Sequence, residues 1–221
     1  MKSIHCRRFL AALAAGAALV AAPWPPLAQA PTASPPSAQV YGAALQGRAL
    51  VSALRGGGYV LYLRHTSTDF GENDERMTDY QDCAKQRNLT DQGRAEARAI
   101  AAALRELRIP IDQVLASPYC RTMETGRLVF GNATATSAVR GGPARPDSPD
   151  RYADLRRILA TKPARGSNTA IASHGNPFAA VAGPPYLAEG EMAVIQPLGG
   201  NDFRIVARIP KDAWAPLVAA K

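Results

Sequence analysis

The stretch YVLYLRHTSTD, residues 59–69, is an apolar run that ends in Arg64 and His65 and then becomes polar. Glycines at 56–58 precede it. An apolar run of this length bounded by glycine predicts a buried β-strand. In open α/β sheets, ligands bind beyond the carboxyl ends of the strands. The two basic side chains are therefore candidates for a ligand site, with a purely structural role as the alternative.

Outward from this strand, the apolar pattern alternates between strand and helix. The segment LTDQGRAEARAIAAALREL, residues 89–107, has one apolar helical stripe and Thr90 as an N-cap. The predicted strands are 59–65, 112–118, 134–140, 169–175, 192–198 and 203–209, and the predicted helices are 45–54, 90–107, 118–130, 150–160, a short helix opening at Asn176-Pro177, and 211–219. This alternation predicts an α/β fold, a three-layer α/β/α sandwich around a mostly parallel central sheet.

Residues 1–30 differ from the rest of the chain. Lys2, Arg7 and Arg8 precede an uninterrupted apolar run at residues 9–22, which is the pattern of an export signal peptide. The run is shorter than a membrane-spanning helix needs, so no stable membrane span is expected once the signal is removed. The sequence therefore predicts an exported protein, periplasmic or secreted, and leaves the cleavage point and the export route open.

The rest of the chain has the composition of a folded protein. Residues 31–40 are rich in Pro, Ala and Ser and predict a linker, and residues 41–221 are long enough for one domain with its own core. Residues 1–30 carry three cations and no acid, so their removal lowers the net charge from +8 to +5. This mild excess suits an anionic substrate, with a solvated surface that is rich in arginine as the more common cause. Because no basic run is interleaved with aromatic residues, no nucleic-acid partner is expected. The sequence makes no prediction about the oligomeric state.

The cysteines predict a disulfide. Of the three in the chain, Cys6 lies in the signal segment, which leaves Cys83 and Cys120 as the pair in the exported domain. Oxidation is permitted outside the cytoplasm, so we expect these two to be bridged, with two free thiols as the alternative. Neither cysteine has the spacing of metal ligands, so no zinc site is expected.

Three predicted strand ends carry residues suited to an anion site. Arg64 and His65 follow the first strand, Arg121 lies in the first turn after the second, and His174 ends the fourth. A cation near a helix start is disfavoured by the helix dipole, so the position of Arg121 needs a reason. A bound anion would supply one, and an ion pair with Glu124 would supply another. A lone histidine at a strand end is more often structural, but the combination is more specific.

Four segments resemble, in order, the marker segments of the histidine phosphatase superfamily, which has the phosphoglycerate-mutase-like fold. The resemblance covers about residues 45–210 and implies that fold. It also implies a phosphomonoester hydrolase that needs no metal ion or cofactor and takes a small phosphorylated substrate. The segments are LYLRH at 61–65, LTDQGRAEARAIAAAL at 89–104, VLASPYCRTMET at 114–125 and IASHGN at 171–176.

Carried over by position, the resemblance implies that His65 is the nucleophile and forms a phosphohistidine intermediate. Arg64, Arg121 and His174 would be catalytic as the groups that bind the phosphoryl group. The residue types suit this chemistry, because a neutral imidazole can attack phosphorus and guanidinium groups can bind phosphoryl oxygens in pairs. The charge of Arg64 is expected to disfavour protonation of His65, and a protonated His174 would donate to the same oxygens.

The general acid is not assigned by the resemblance. In one branch of the superfamily it is a Glu between the positions of Arg121 and His174, and in another an Asp directly after the second histidine, where this chain has Gly175. The chain also departs from the superfamily's signature RHG, because Thr66 follows His65 where the signature has Gly. Together with the export signal, this favours a phosphatase over a mutase. The candidate acids are Glu124, Asp147, Asp150, Asp154, Asp69, Glu189 and Glu191.

A catalytically inactive phosphate- or anion-binding module on the same fold is the alternative function. Such a module would keep the arginines and His174, and the lack of an obvious acid supports it. The retained His65 argues against it, because a binding site gains little from a nucleophile. Substrate specificity is expected in the loops at 66–88 and 141–149, and neither carries a motif that identifies the substrate.

Overall fold

The computed structural model describes residue 42, residues 44–140 and residues 150–221. Strands and helices alternate through most of this part of the chain. The strands are β1 (Val60–Arg64), β2 (Ile111–Ala116), β3 (Thr134–Ala135), β4 (Asn168–Ser173), β5 (Met192–Gly199) and β6 (Asp202–Ile209). The α-helices are α1 (Gly47–Gly56), α2 (Asp91–Glu106), α3 (Cys120–Phe130), α4 (Ala153–Ala160), α5 (Gly175–Ala182) and α6 (Trp214–Ala219), with short 3-10 helices at Cys83–Lys85, Ser137–Val139 and Lys211–Ala213.

The strands form one mixed sheet in the order β3-β2-β4-β1-β5-β6. The pairs β1/β4, β4/β2 and β2/β3 are parallel, whereas β5 and β6 join as an antiparallel hairpin beside β1. The carboxyl ends of β1, β4 and β2 therefore meet at one edge of the sheet. In the β1/β4 register Arg64 faces Ser173, so the residues that follow these two are neighbours.

Helices cover both faces of the sheet because its central strands are apolar on both sides. On β1, Leu61 and Leu63 pack with α1 and α2, whereas Val60 and Tyr62 pack with α4 and α5. These four side chains are at most 1% exposed, as expected for a strand buried on both faces. The layers confirm the predicted α/β fold, a helix-sheet-helix sandwich around a mostly parallel sheet.

Helix α2 determines where the loop after β1 runs. Thr90 caps the helix as predicted, because its side chain accepts a hydrogen bond from the Gly93 backbone at 3.0 Å. A Cβ at Gly93 would lie 2.1 Å from the carbonyl oxygen of Ser67, so only glycine lets the loop approach the helix this closely. The chain that follows His65 is thus held against the first turn of α2.

Several predicted boundaries are wrong. The helix expected from residue 118 begins at Cys120, because the Ser117 hydroxyl contacts His174 instead of capping the helix. The helix expected to open at Asn176 begins at Gly175, with His174 as its N-cap. The third strand is only Thr134–Ala135, and residues 211–213 form a 3-10 turn before the last helix.

The predicted signal segment 1–30, the linker 31–40 and the loop 141–149 lie outside the described residues. Within the described residues, no helix has both the length and the hydropathy that crossing a membrane requires.

Candidate active site

The two histidines predicted at strand ends lie side by side. His65 follows β1 and His174 follows β4, and the backbone N–H of His65 donates to the Ser173 carbonyl at 2.9 Å. Their ring centroids are 5.6 Å apart in an edge-to-face arrangement. Parallel pairing of β1 and β4 therefore brings together two residues that are far apart in sequence.

His65 is buried and neutral. Its side chain is almost fully covered, and burial, reinforced by the charges of Arg121 and Arg64, lowers its pKa to about 3. Its Nδ1 lies 3.0 Å from the carbonyl oxygen of Thr66. Because a carbonyl can only accept, Nδ1 carries the ring proton and Nε2 keeps a free lone pair. The ring is thus prepared as a nucleophile through Nε2.

His174 is also neutral, so it does not provide the charged donor that a protonated ring would be. Burial and the charge of Arg121 hold the pKa of His174 well below its usual value. Its Nε2 lies 2.8 Å from the Ser117 hydroxyl at the end of β2. Its backbone carbonyl accepts a 2.7 Å hydrogen bond from Tyr62, whose own pKa is raised by burial. Contacts from two neighbouring strands therefore fix both the ring and the backbone of His174.

Arg64 is held at the same edge by the segment before β5. Its Nη1 donates to the carbonyl of Leu187 at 2.7 Å, and its Nη2 lies 3.5 Å from Oε1 of Glu189. The same Glu189 oxygen is 3.8 Å from Nδ1 of His65, and the Glu189 carboxylate also accepts from Thr68. Glu189 thus lies on the Nδ1 side of His65, away from the free lone pair.

Arg121 makes an ion pair that the sequence analysis did not predict. The alternative of an ion pair with Glu124 does not hold, because Glu124 pairs with Arg94 at 2.7 Å. Arg121 instead donates from Nη1 and Nη2 to the two oxygens of Asp74 at 2.9 and 3.0 Å. Burial alone would raise the pKa of Asp74, but hydrogen bonds from Arg121 and the Arg87 backbone outweigh it and hold this pKa below its usual value.

The two histidines, Arg64, Arg121 and Asp74 line a cavity of about 370 Å³. Arg140 contributes a further guanidinium, which lies over the rings of Tyr80 and Tyr119 at 5.5 and 5.9 Å from their centroids. Asp74 is the one acid among the described residues that line the cavity. The cavity is therefore strongly positive. Its described lining residues are Arg64, His65, Asp74, Arg87, Tyr119, Arg121, Arg140, Arg151, Tyr152, His174, Gly175, Asn176, Pro177 and Tyr186.

The predicted acids that the structure describes lie outside this cavity. Asp150 and Asp154 form exposed ion pairs with arginines of α4, Glu191 pairs with Arg208, and Asp69 accepts from a backbone N–H in its own turn. Asp147 lies outside the described residues. Glu189 is the described candidate that approaches His65.

A disulfide joins the loop after β1 to the start of α3, as the cysteine analysis predicts. Cys83 and Cys120 are bonded, with their Cα atoms 5.7 Å apart. Beside them, the buried side chain of Gln86 accepts from the backbone N–H of Cys120 at 2.9 Å. These contacts fix Arg87, whose carbonyl oxygen accepts from Arg121 at 3.2 Å. The loop is thus anchored next to the cavity.

The sequence analysis therefore missed Asp74, Arg87 and Arg140. Asp74 and Arg87 belong to the acid-rich loop that was expected to govern specificity, but no periodicity distinguishes them from their neighbours. Arg140 ends the predicted third strand, so its position at a strand end was a usable signal. Within the described residues, no group of three His, Cys, Asp or Glu side chains is arranged to hold a metal ion.

Comparisons with known proteins agree with this fold. The model of the histidine phosphatase superfamily (branch 1) matches residues 60–141, a segment that includes Arg64, His65 and Arg121. No curated protein matches the chain. The solved structure of the protein histidine phosphatase SixA complexed with tungstate is 18% identical, with a TM-score of 0.51, and the match covers 70% of this chain and 97% of that one.

A mycobacterial glucosyl-3-phosphoglycerate phosphatase in complex with VO3 is 15% identical, with a TM-score of 0.49, over 67% of this chain and 97% of that chain. The chain thus has the phosphoglycerate-mutase-like fold and is similar, over residues 60–141, to the histidine phosphatase superfamily.

Proposed function

We propose that the protein is a phosphomonoester hydrolase in which His65 is the nucleophile and Arg64, Arg121 and His174 bind the phosphoryl group. The observation that carries this proposal is the pair of neutral histidines, 5.6 Å apart, in a cavity lined by guanidinium groups. Burial and several nearby cations disfavour the protonated form of an imidazole. The neutral ring keeps its lone pair, which is available to attack the phosphorus of an anionic ester. The similarity to a phosphatase family over residues 60–141 supports the same chemistry.

In the first step the lone pair on Nε2 of His65 attacks phosphorus. A P–N bond forms, the P–O bond to the leaving group breaks, and its electron pair goes to the leaving oxygen. In the second step the oxygen of a water molecule attacks phosphorus, a new P–O bond forms, and the P–N bond breaks with its electron pair returning to Nε2. The proton that this water loses goes to the leaving-group anion or to solvent. The ring gains positive character in the intermediate, and the Glu189 carboxylate near Nδ1 stabilises that charge.

Arg121 has donors left for the phosphoryl group after its contacts with the protein. A guanidinium has five N–H groups. Two donate to Asp74 and one to the Arg87 carbonyl, which leaves one on Nη2 and the one on Nε. The Nε atom is buried without a hydrogen-bond partner among the described residues. Two phosphoryl oxygens can accept this remaining pair.

In this proposal Asp74 positions Arg121 and does not act as the acid. A carboxylate with a lowered pKa stays ionised and has no proton to give to a leaving group. Substrates whose leaving oxygen is stable as an anion, such as aryl phosphates, are therefore expected to react fastest. The positive charge that stabilises the transition state comes from guanidinium groups, so the proposed mechanism does not require a metal ion.

The test is hydrolysis of p-nitrophenyl phosphate by the wild type and by His65→Ala. We expect at least a 1000-fold loss of kcat in the variant, on the order found for loss of a nucleophile. We also expect an acid-labile, alkali-stable phosphoryl group on the wild type alone after rapid quenching. Arg98→Gln on the exposed face of α2 is the control and is expected to keep full activity.

Equal activity in the wild type and His65→Ala would contradict the proposed nucleophile. A wild type that binds inorganic phosphate in the cavity but hydrolyses no aryl or alkyl phosphate would support the inactive anion-binding module instead.

We also propose that the protein is exported, with residues 1–30 as the signal, residues 31–40 as the linker and residues 41–221 as the phosphatase domain. The disulfide between Cys83 and Cys120 supports an oxidising compartment. The mass of the protein recovered from the periplasm of an expressing bacterium tests this. Recovery of the uncleaved chain in the cytoplasm alone would contradict it.

A further inference from the structure

The proposed reaction needs a proton donor for the leaving oxygen. When the P–O bond of an alkyl ester breaks, its electron pair stays on a strongly basic oxygen, and a group that protonates this oxygen lowers the barrier. Asp74 is the acid of the described cavity lining. It is ionised in its ion pair with Arg121, so it has no proton to give.

The histidines and arginines of the lining do not meet this need. Burial lowers the pKa of both His65 and His174, so both rings are neutral and neither is an imidazolium with a proton to release. Arginine side chains stay protonated in proteins and are therefore poor acids. The other side chains of the described lining that can release a proton are three tyrosines, Tyr119, Tyr152 and Tyr186.

The hydroxyl of Tyr186 is held beside the start of α5. It donates to Oδ1 of Asn176, two residues after His174. The ring of Tyr119, by contrast, packs against Arg121 and His174, which are the groups proposed to bind the phosphoryl group. Of the three tyrosines, Tyr186 is thus the one whose hydroxyl is fixed in the cavity wall by a side chain that the proposed phosphoryl pocket does not use.

The ring of Tyr186 lies where a side chain at Gly175 would be. A Cβ at Gly175 would be 2.1 Å from Cε1 of Tyr186 and 2.6 Å from its hydroxyl oxygen. Any larger residue at this position would therefore displace the ring. Because Gly175 directly follows His174, the phenol lies against the backbone that carries a proposed phosphoryl-binding group.

The ring and the backbone of Tyr186 are both held in place. The guanidinium carbon of Arg64 lies over the ring, 5.2 Å from its centroid. Arg208 donates to the carbonyls of Pro185 and Tyr186 at 2.6 and 3.0 Å, and it also forms an ion pair with Glu191. The Tyr186 side chain is still half-exposed, so a substrate can reach it. A catalytic group on such a fixed support keeps its geometry through the reaction.

We infer that Tyr186 is the general acid that protonates the leaving oxygen of alkyl phosphates. This inference rests on the proposed function for the bond that breaks. In the first step the O–H bond of Tyr186 breaks, its electron pair stays on the phenolate, and the proton joins the leaving oxygen through the pair released by the P–O bond. In the second step the phenolate takes the proton that the attacking water loses. The hydroxyl hydrogen rotates about its C–O bond, so the contact with Asn176 does not prevent the transfer.

The test uses three esters whose leaving groups become steadily more basic, namely p-nitrophenyl, phenyl and benzyl phosphate. The constant compared is kcat/KM, because it reports only the steps up to the loss of the leaving group. Tyr186→Phe keeps the ring and removes the proton. We expect it to lower kcat/KM for benzyl phosphate by at least about 100-fold, the lower end of the range for general acid catalysis, and for p-nitrophenyl phosphate by less than about threefold.

Tyr119→Phe and Tyr152→Phe are the matched controls, because they remove hydroxyl groups from the same cavity. Each is expected to leave the ratio of kcat/KM between p-nitrophenyl and benzyl phosphate at its wild-type value. Asp147→Asn, in the segment outside the described residues, is expected to leave this ratio unchanged as well. Thermal melting checks that all the variants fold.

An equal loss on the three esters in Tyr186→Phe would overturn the inference, because it would assign Tyr186 to binding or packing. No loss on benzyl phosphate would overturn it too. So would a selective loss on benzyl phosphate in Tyr119→Phe, Tyr152→Phe or Asp147→Asn, with Tyr186→Phe unaffected.

The failure of this inference is distinct from the failure of the proposed function. A wild type that hydrolyses p-nitrophenyl phosphate but not benzyl phosphate would have no general acid, which overturns the inference alone. A wild type that hydrolyses none of the three esters would contradict the proposed function, and the role of Tyr186 with it.

Discussion

Two groups of side chains meet in the cavity, and they are held in different ways. The strand-end group, Arg64, His65 and His174, directly follows or ends strands that pair through backbone hydrogen bonds. The loop group, Asp74 and Arg87, lies in the segment after β1 and is held by individual side-chain contacts and a disulfide nearby. Arg121 at the start of α3 touches the loop group and acts electrostatically on both histidines.

We therefore expect the two groups to have different roles, the strand-end group in catalysis and the loop group in substrate binding. Groups that take part in bond making need a fixed position, which a buried parallel sheet provides. Groups that select a substrate can lie on a loop, because loops tolerate change without loss of the core. We therefore expect changes in the strand-end group to affect kcat most, and changes in the loop group to affect binding most.

The largest effect on activity is expected for the strand-end group. His174→Asn should lower kcat/KM for p-nitrophenyl phosphate about 100- to 1000-fold, the range for loss of one donor to a charged transition state. The melting temperature should fall only by a few degrees, since the ring loses its contact with the Ser117 hydroxyl but Tyr62 still donates to the backbone carbonyl at this position. Lys162→Ala, an exposed substitution in the turn before β4, is the control. A loss of less than tenfold would place His174 outside the phosphoryl pocket.

Removal of the disulfide should weaken the loop group and spare the strand-end group. The double variant Cys83→Ser with Cys120→Ser loses a link across a sequence separation of 37. We expect the free energy of unfolding to fall by about 3 kcal/mol, measured by urea denaturation. KM should rise more than kcat falls, because Arg87 loses its anchor. A large loss of kcat at constant KM would contradict this division.

The pH dependence of stability should separate the two groups. The folded protein keeps His65 and His174 neutral at pH values where the unfolded chain protonates them. Their contribution to the free energy of unfolding is fully present above pH 6.5. It is lost as the pH falls toward the folded pKa, which for His65 is about 3. Between pH 6.5 and 5.5 we expect a loss of about 1 kcal/mol per histidine in urea denaturation.

The control for this prediction is His65→Asn, which should roughly halve the change in the free energy of unfolding between pH 6.5 and 5.5. Asp74 behaves differently, because its pKa is lowered: its contribution is present above the unfolded value and is lost only as the pH falls through the lower folded one. A stability that is flat between pH 6.5 and 5.5 would show that the histidines are not held neutral.

The smallest effect is expected for the positioning carboxylate. Asp74→Ala should lower kcat/KM about 10- to 30-fold, because Arg121 loses two of its hydrogen bonds, each worth roughly 1 kcal/mol. Asp74→Asn should recover part of the loss, since its amide oxygen can still accept one of them. Glu75→Ala, an exposed neighbour, is the control. Equal losses for Asp74→Asn and Asp74→Ala would favour a role for the charge and not for the orientation of Arg121.

The strand-end group was predictable because it depends on patterns local to each strand. The apolar run before Arg64 and the glycines before it predict a buried strand, and parallel pairing then places His65 beside His174. The start of α3 was mispredicted because a serine before a proline is a common signal for the start of a helix. Here the Ser117 hydroxyl forms a hydrogen bond with the His174 ring instead of capping the helix. A tertiary contact replaced the local one.

The amino-acid sequence by itself determined the α/β fold, the edge of the sheet at which a site forms and the strand-end residues, because apolar periodicity and strand order follow from short-range patterns. Only the tertiary structure decided that Asp74, and not Glu124, pairs with Arg121, and that Arg87 lines the same cavity. These contacts depend on how an aperiodic loop folds back across the carboxyl edge of the sheet. Such long-range side-chain pairings leave no signature in the spacing of residues along the chain.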